Sequence, residues 1–402
     1  MTTDTLSKQE VRKARIMGIV FLVFALGIVL LFLPGTTGAN RTTFTLNMTR
    51  GEALTLPDLT FGTLPGLLVF AAMAAFLGAW QLAKGFRNHN AVLGAVVGLF
   101  VLAFLAWAAR DKSMNITGMV QSTLLRAIPI VLAALSGIMC EKAGVVNIGI
   151  EGMMLSGAFL AALMGSVTQS QWGGLIAALI GGGLMAALLA VLAIKYKVSQ
   201  VVAGTTINIL ATGITSYFSS RYLQVNAELN SPVTFRPIAI PVLSKIPIIG
   251  PVFFNHSLVV YLTLILVIVI HVMLNYTRWG LRTRAVGEHP RAADTLGINV
   301  FKTRYINVIL GGMVAGLGGA YLVLSSVARF DELMTAGKGF IGLAAMIFGN
   351  WTPFGALGSS LIFGFADSLQ TKLAIMSVPI PSQFLLMAPY LVTMIVLAGV
   401  VG

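Results

Sequence analysis

Apolar runs near bilayer length recur along almost the whole chain, at 16–33, 64–83, 91–109, 118–139, 151–168, 173–194, 200–222, 256–277, 305–327, 354–371 and 383–401. A membrane-crossing α-helix needs about 20 predominantly apolar residues, so each run is a candidate span. A further run, 339–349, has about half that length and is either a tilted short crossing or a re-entrant half-helix. The expected fold is an all-α polytopic membrane protein with about 11–12 membrane-crossing or re-entrant helices in one bundle. If 339–349 crosses, the carboxyl terminus lies on the same side as the amino terminus; if it is re-entrant, it lies on the opposite side.

Against this background the stretch RWGLRTRAVGEHPRAADTLGINVFKTR, 278–304, stands out as long, polar and basic, with Arg278, Arg282, Arg284, Arg291, Lys302 and Arg304. A short helix-compatible run, RAADTLG, lies at its centre, where a water-soluble partner could push. Basic residues also set the orientation. With a cytoplasmic amino terminus, the inner segments hold Lys8, Arg12, Lys13, Arg15, Lys84, Arg87, Lys142, Lys195, Lys197 and the six of the central loop. The long outer loop, 223–255, carries just Arg236 and Lys245. The chain is therefore expected to be a multi-pass protein of the cell (plasma or inner) membrane, with its amino terminus in the cytoplasm.

Composition supports the same class: 57% of the 402 residues are hydrophobic and 10% charged, with a mean hydropathy of +0.91, against roughly 25% charged in a soluble domain. A formal charge of +13 would suggest nucleic acid in a soluble protein. Here retention of basic residues in cytoplasmic loops explains it, and no nucleic-acid partner is expected. The one cysteine, Cys140, excludes an intrachain disulfide and a multi-cysteine metal site, so helix packing must hold the fold. The 43 glycines cluster within spans, as at 181–183, 311–312 and 316–319, and allow helices to approach closely in lipid.

Two segments have a character of their own. The first run follows basic residues and precedes TTGA at 36–39, as in a signal peptide, but its apolar core of about 18 residues is longer than a signal core of about 7–15. A retained helix is expected. In the outer loop, Pro232, Pro237, Pro241, Pro247 and Pro251 prevent a continuous helix and predict an ordered external cap with a short helix.

Polar residues inside apolar runs are the candidates for function, because they are costly at membrane depth unless they face a water-filled path or a partner. CEKAGVVNIGIEGMM, 140–154, places Glu141, Lys142, Asn147 and Glu151 between two apolar helices; a helix start at Asn147 or Glu151 would also account for the carboxylates. Asn208 lies within VVAGTTINILATG and either lines a path or makes an interhelical hydrogen bond. Asp367, in LIFGFADSLQ, would stand about 20 Å above a helix start near Pro353. There it could accept hydrogens from a polar solute or pair with Arg329 or Lys372. Asn147, Glu151, Asn208 and Asp367 are thus the candidate path or gate residues. Arg126 and His271 lie near helix ends, where snorkelling accounts for them. Asn47-Met-Thr and Asn115-Ile-Thr match the glycosylation pattern, which is short enough to occur by chance.

The sequence contains no G-x-x-x-x-G-K-[ST] loop, no HExxH and no nucleophile elbow. The chain is not expected to be an enzyme, and no cofactor is implied. Active transport would draw on another subunit or on an ion gradient. The basic loop favours the first; an ion-coupled secondary transporter should show a chain of deep carboxylates, and Asp367 alone is clearly deep.

Three stretches, SGIMCEKAGVVNIGIEGMMLSGAF, RAVGEHPRAADTLGINV and GKGFIGLAAMIFGNWTPFGALGSSLIFGFADSLQ, together resemble the membrane permeases of ABC importers of the ribose and branched-chain amino acid type. Within that group they look most like the permeases of nucleoside uptake systems. The resemblance covers 118–401, leaving 1–90 as an additional amino-terminal helix pair with an external loop and 91–402 as the permease domain. It implies a path for a nucleoside, with simple sugars or branched-chain amino acids as alternatives. It also implies a second permease subunit, the same or different, cytoplasmic ABC ATPases, and an external solute-binding protein or lipoprotein. Related importers carry a coupling helix with a pattern like E-A-A-x-x-x-G; here Arg291, Ala292, Ala293 and Gly297 match, with Arg291 in place of the acidic residue. Glu288, Arg291, Ala292, Ala293, Asp294 and Gly297 are the expected ATPase-coupling residues.

Overall fold

Long apolar helices make up most of the computed structural model, which describes residues 8–48, 56–86 and 88–376 together with Val378, Phe384 and Met387. The last run expected from the sequence, 383–401, lies outside the described residues apart from Phe384 and Met387. The chain divides into two compact units, 1–118 with 372–380, and 119–371 with 381–402.

The first unit holds α1 (Lys8–Phe32), α2 (Thr63–Ala83) and α3 (His89–Ala108), so a third helix packs with the amino-terminal pair. Between them β1 (Arg41–Thr45) pairs antiparallel with β2 (Leu59–Gly62) and parallel with β3 (Ser113–Asn115). Thr42, fully buried on β1, bonds Thr63 Oγ1 at 2.9 Å and Ala106 O at 2.8 Å, which satisfies its hydroxyl and ties the sheet to two helices. The two asparagines of the glycosylation-like triplets are engaged: Asn47 exchanges hydrogen bonds with the Leu56 backbone, and Asn115 accepts from Gly118 N at 2.7 Å.

The second unit is built on α4 (Ile116–Glu141), α5 (Ile150–Val167), α6 (Gln171–Ala190), α7 (Gln200–Phe218), α8 (Ile249–Phe253), α9 (Leu258–Tyr276), α10 (Arg278–Glu288), α11 (Pro290–Thr295), α12 (Val300–Tyr321), α13 (Lys338–Phe348) and α14 (Pro353–Ile375). Among the described residues of the whole chain, nine helices are long and apolar enough to cross a membrane. Helices α4, α5 and α12 are mostly buried, whereas α7 and α9 mostly face outward. Glycine permits that core. A Cβ at Gly316 would overlap Ala178 O of α6, and one at Gly319 would overlap Met154 O of α5. In lipid such backbone approach supplies the dispersion contact that water would otherwise drive.

The proline-punctuated segment folds against the same unit. It contains α8, two short 3₁₀ turns, and β4 (Ile238–Ala239) paired antiparallel with β5 (Asn255–His256). Asn230 clamps it: its Oδ1 accepts from Phe330 N at 2.7 Å and its Nδ2 donates to Phe330 O at 3.0 Å. Helix α9 leads from this segment to α10, and its 19 residues extend about 28 Å at about 1.5 Å per residue. The proline-rich segment and α10–α11 therefore lie at opposite ends of one bilayer-length helix.

The glycine contacts define a stability test. Gly319→Leu should cost more than about 2 kcal/mol, because backbone rather than a flexible side chain opposes the new atoms. It is read as a lowered unfolding temperature in detergent, with no lowering for Gly358→Ala, which faces open space.

Candidate functional site

A cavity of about 560 Å³ lies in the second unit among α4, α12, α13, α14 and the proline-rich segment. Its polar lining includes Gln121, Arg126, Asn255, Ser257, Lys338 and Asp367. Arg126 Nη1 donates to Asp367 Oδ2 at 2.7 Å, and the two side chains remain 35% and 32% exposed, so the pair faces the cavity. This corrects the sequence-based partners for Asp367: Arg329 pairs instead with Asp331 at 3.0 Å, and α4 brings Arg126 to α14 from 241 positions away. Snorkelling is not what holds Arg126.

Pro129 explains the wall beside this pair. Without an N–H it cannot bond the carbonyl four residues earlier, that of Leu125. The Tyr321 hydroxyl, from α12, donates to that carbonyl at 2.8 Å. The hydroxyls of Ser257 and Ser325, both lining the cavity, are buried with no hydrogen-bond partner among the described residues. A buried unpaired hydroxyl costs about 1–3 kcal/mol, so a polar solute offering a partner would be favoured there. His256 is 3% exposed and bonds Val252 O through Nε2 at 2.7 Å; burial holds its pKa below the ordinary value, so it adds no charge.

The floor is the start of α13. Glu151, in the first turn of α5, accepts from Gly337 N at 2.8 Å and Gly339 N at 2.6 Å, on either side of the cavity-lining Lys338. These are orphan amides at a helix start, and the carboxylate also meets the positive end of the helix dipole. A side chain at residue 339 would run into the Glu151 backbone, so glycine is what permits the approach. Asn208 fastens the neighbouring backbone from α7, accepting from Gly152 N at 2.8 Å and donating to Ile148 O at 2.9 Å. Asn147 is fully buried; its Oδ1 accepts from Gly149 N at 3.0 Å, and its amide nitrogen lies 3.5 Å from Cys140 Sγ. Of the four candidate path residues, Asp367 lines the cavity, while Asn147, Glu151 and Asn208 hold the segment 147–152 and α13 in place.

At the other end, Thr277 Oγ1 accepts from Gly280 N to cap α10, and Pro290 opens α11 where its missing N–H is not needed. Gly297 closes α11 with φ +79°, while Ile298 N bonds Ala293 O at 3.1 Å and Gly297 N bonds Asp294 O at 2.9 Å. This six-to-one and five-to-two pair needs a left-handed residue, which glycine supplies without strain. Ala293 is buried; Glu288, Arg291, Ala292, Asp294 and Gly297 are exposed. Leu296, 80% exposed between them, was not singled out by sequence reasoning; its signal is a lone leucine before glycine in a polar loop.

The two ends are joined by contact. Gly287 of α10 packs against the Lys142 carbonyl and Gly144, and Arg304 Nε donates to Ala143 O at 3.2 Å. From that loop Glu141 Oε2 accepts from Trp351 Nε1 at 2.5 Å, at the turn between α13 and α14. Helix α13 thus runs from the cavity at Lys338 toward the α10 end, and its 11 residues cover about 16 Å, half a bilayer core. The short apolar run at 339–349 is a half-length helix entered through the coil 328–337.

A polar cavity at one end of a glycine-packed helical bundle, tied to a rigid loop at the other, defines a membrane permease. Residues 119–400 match the family of branched-chain amino acid transport system / permease components, and the chain belongs to that family. It is therefore a multi-pass membrane protein and one component of a larger transport system. It is 41% identical over 296 residues to a guanosine ABC transporter permease protein of Bacillus subtilis, covering 70% of this chain and 92% of that one. It is 39% identical over 308 residues to a nucleoside ABC transporter permease protein of Lactococcus lactis, covering 72% and 95%. A candidate glucose ABC transporter permease protein of Haloferax volcanii is 38% identical over 255 residues, covering 63% and 77%. No solved structure matches.

Replacing Glu151 by Gln removes the charge and leaves one oxygen for two amides. The expected loss is about 1–3 kcal/mol at the start of α13, seen as at least about fivefold faster hydrogen exchange at Gly337 and Gly339, with α6 unchanged.

Proposed function

We propose that this chain is the membrane-spanning permease subunit of an ATP-binding-cassette importer and forms the translocation path for a nucleoside. The observation that carries the reading is the cavity around Arg126 and Asp367, with unpartnered Ser257 and Ser325 hydroxyls, in a chain closely similar to permeases named for guanosine and nucleosides. Its volume of about 560 Å³ falls within the roughly 300–1,000 Å³ of small-molecule sites. The few polar groups suit hydroxyls and ring nitrogens, and hold them weakly enough for onward release.

In this reading the cavity faces outward beneath an external solute-binding protein or lipoprotein, α10–α11 and the amino terminus face the cytoplasm, and a second permease subunit completes the path. ATP is hydrolysed in separate ABC ATPases. Closure of the ATPases presses on α11, where Arg291, Ala292, Asp294 and Leu296 form the contact face, Glu288 and Gly297 bound it, and Ala293 seats it. Gly287 passes the displacement to the 142–144 loop, then to Asn147, Glu151 and Asn208. Glu151 draws α13, and with it Lys338, away from the Arg126–Asp367 pair, so that the cavity opens inward. Residues 1–90 are an addition outside this machinery.

Uptake of radiolabelled guanosine should be lost when the subunit is deleted and restored by the intact chain. Unchanged guanosine uptake with lost glucose uptake would assign the path to a sugar. Leu296→Asp should lower uptake by about tenfold or more at unchanged membrane levels, because a charge replaces the one large apolar side chain on the contact face. Normal uptake in that variant would remove α11 from the coupling surface.

A further inference from the structure

The cavity contains the ingredients of an anion site, and two of the three are already occupied by the protein's own carboxylates. A guanidinium on a cavity wall is a fork for phosphate or carboxylate, but Asp367 occupies that of Arg126 at 2.7 Å. The amides at the start of an 11-residue helix would attract an anion, but the Glu151 carboxylate takes those of Gly337 and Gly339 at 2.8 and 2.6 Å. Lys338, between those glycines, lines the cavity without an ion pair among the described residues, and the nearby charges of Asp367 and Glu151 oppose its own. His256 is neutral and the Tyr321 hydroxyl is engaged with Leu125 O. With all four ionised, Arg126, Lys338, Asp367 and Glu151 sum to zero, and loss of the Lys338 proton would make the sum negative.

We propose that this internal balance makes the cavity an anion filter that admits uncharged hydroxylated solutes and rejects their phosphorylated or carboxylated counterparts, with Asp367 as the specificity-determining residue because it cancels Arg126. The proposal deepens the reading of the cavity as the solute path and rests on it for its physiological meaning. An entering phosphate must shed water where the two carboxylates offset the two cations, so no net positive field repays its desolvation. A neutral nucleoside or sugar meets no such barrier and can use the Ser257 and Ser325 hydroxyls. Asp367→Asn keeps an oxygen for Arg126 but removes the charge, so one cation becomes available to an anion.

The field can be read without transport. Ser326 is exposed and lines the cavity, whereas Cys140 is fully buried, so Ser326→Cys introduces one reactive thiol. In the assembled transporter, its reaction rates with a sulfonate-bearing and a trimethylammonium-bearing methanethiosulfonate are each divided by the same reagent's rate on a free small thiol. The corrected anionic rate should not exceed the cationic rate. Asp367→Asn should raise the anionic-to-cationic ratio about tenfold, and Arg126→Gln should lower it. The proposal is overturned if the anionic reagent is faster before any charge is altered, or if Asp367→Asn changes the ratio by less than about threefold. Should Asp367→Asn fail to assemble, the unaltered ratio and the opposite shift in Arg126→Gln decide the matter, and absence of either overturns the filter. Reagent access reads the field alone, so a negative result leaves the path assignment intact, and a failed uptake assay leaves the field measurement intact.

Discussion

A helix that begins inside a membrane protein must find partners for its first amides, because hydrocarbon offers none. Glu151 meets that requirement for α13 with both carboxylate oxygens. Much else in the second unit follows from it. The carboxylate must be carried on a helix start that is itself held still, which Asn147 and Asn208 do through the backbone of 148–152. Glycine is needed on both sides of Lys338, at 339 because a Cβ would meet the Glu151 backbone and at 337 because φ is +77°. The polar cavity lies at the start of α13, and the far end of that helix reaches the turn that Trp351 ties to Glu141.

The cavity wall follows the same rule. Pro129 leaves the Leu125 carbonyl without its helical donor, and Tyr321 provides one from α12. The Arg126–Asp367 pair likewise gives each charge on the wall a partner within the protein. Polar groups whose partners lie within the protein make the wall durable. Ser257 and Ser325 have no such partner among the described residues, and the proposed path uses them for the solute.

Rigidity and motion are divided between parts. Glycine contacts among α5, α6 and α12 make a core in which backbone meets backbone, with little freedom to deform. The contacts that lead from α10 toward the cavity run instead through 142–152 and 337–339, and the proposed mechanism assigns the motion to these segments. In the proposed mechanism a displacement at α10 reaches α13 while the three-helix core stays in register.

Apolar run length and polar interruption were enough to establish the membrane class, the positions of the long helices, the separate character of 278–304 and the importance of 140–154, because span length and backbone satisfaction are local constraints. The glycine at 297 could likewise be read as the end of a short helix. The pairing of Arg126 with Asp367 could not, since the two are 241 positions apart and become neighbours only when α4 packs on α14. Nor could the use of Glu151 as a cap for a helix that starts 187 positions later. Sequence determined which polar groups had to be explained; tertiary structure decided what each of them satisfies, because in a dry interior a partner is set by proximity in space and not by spacing along the chain.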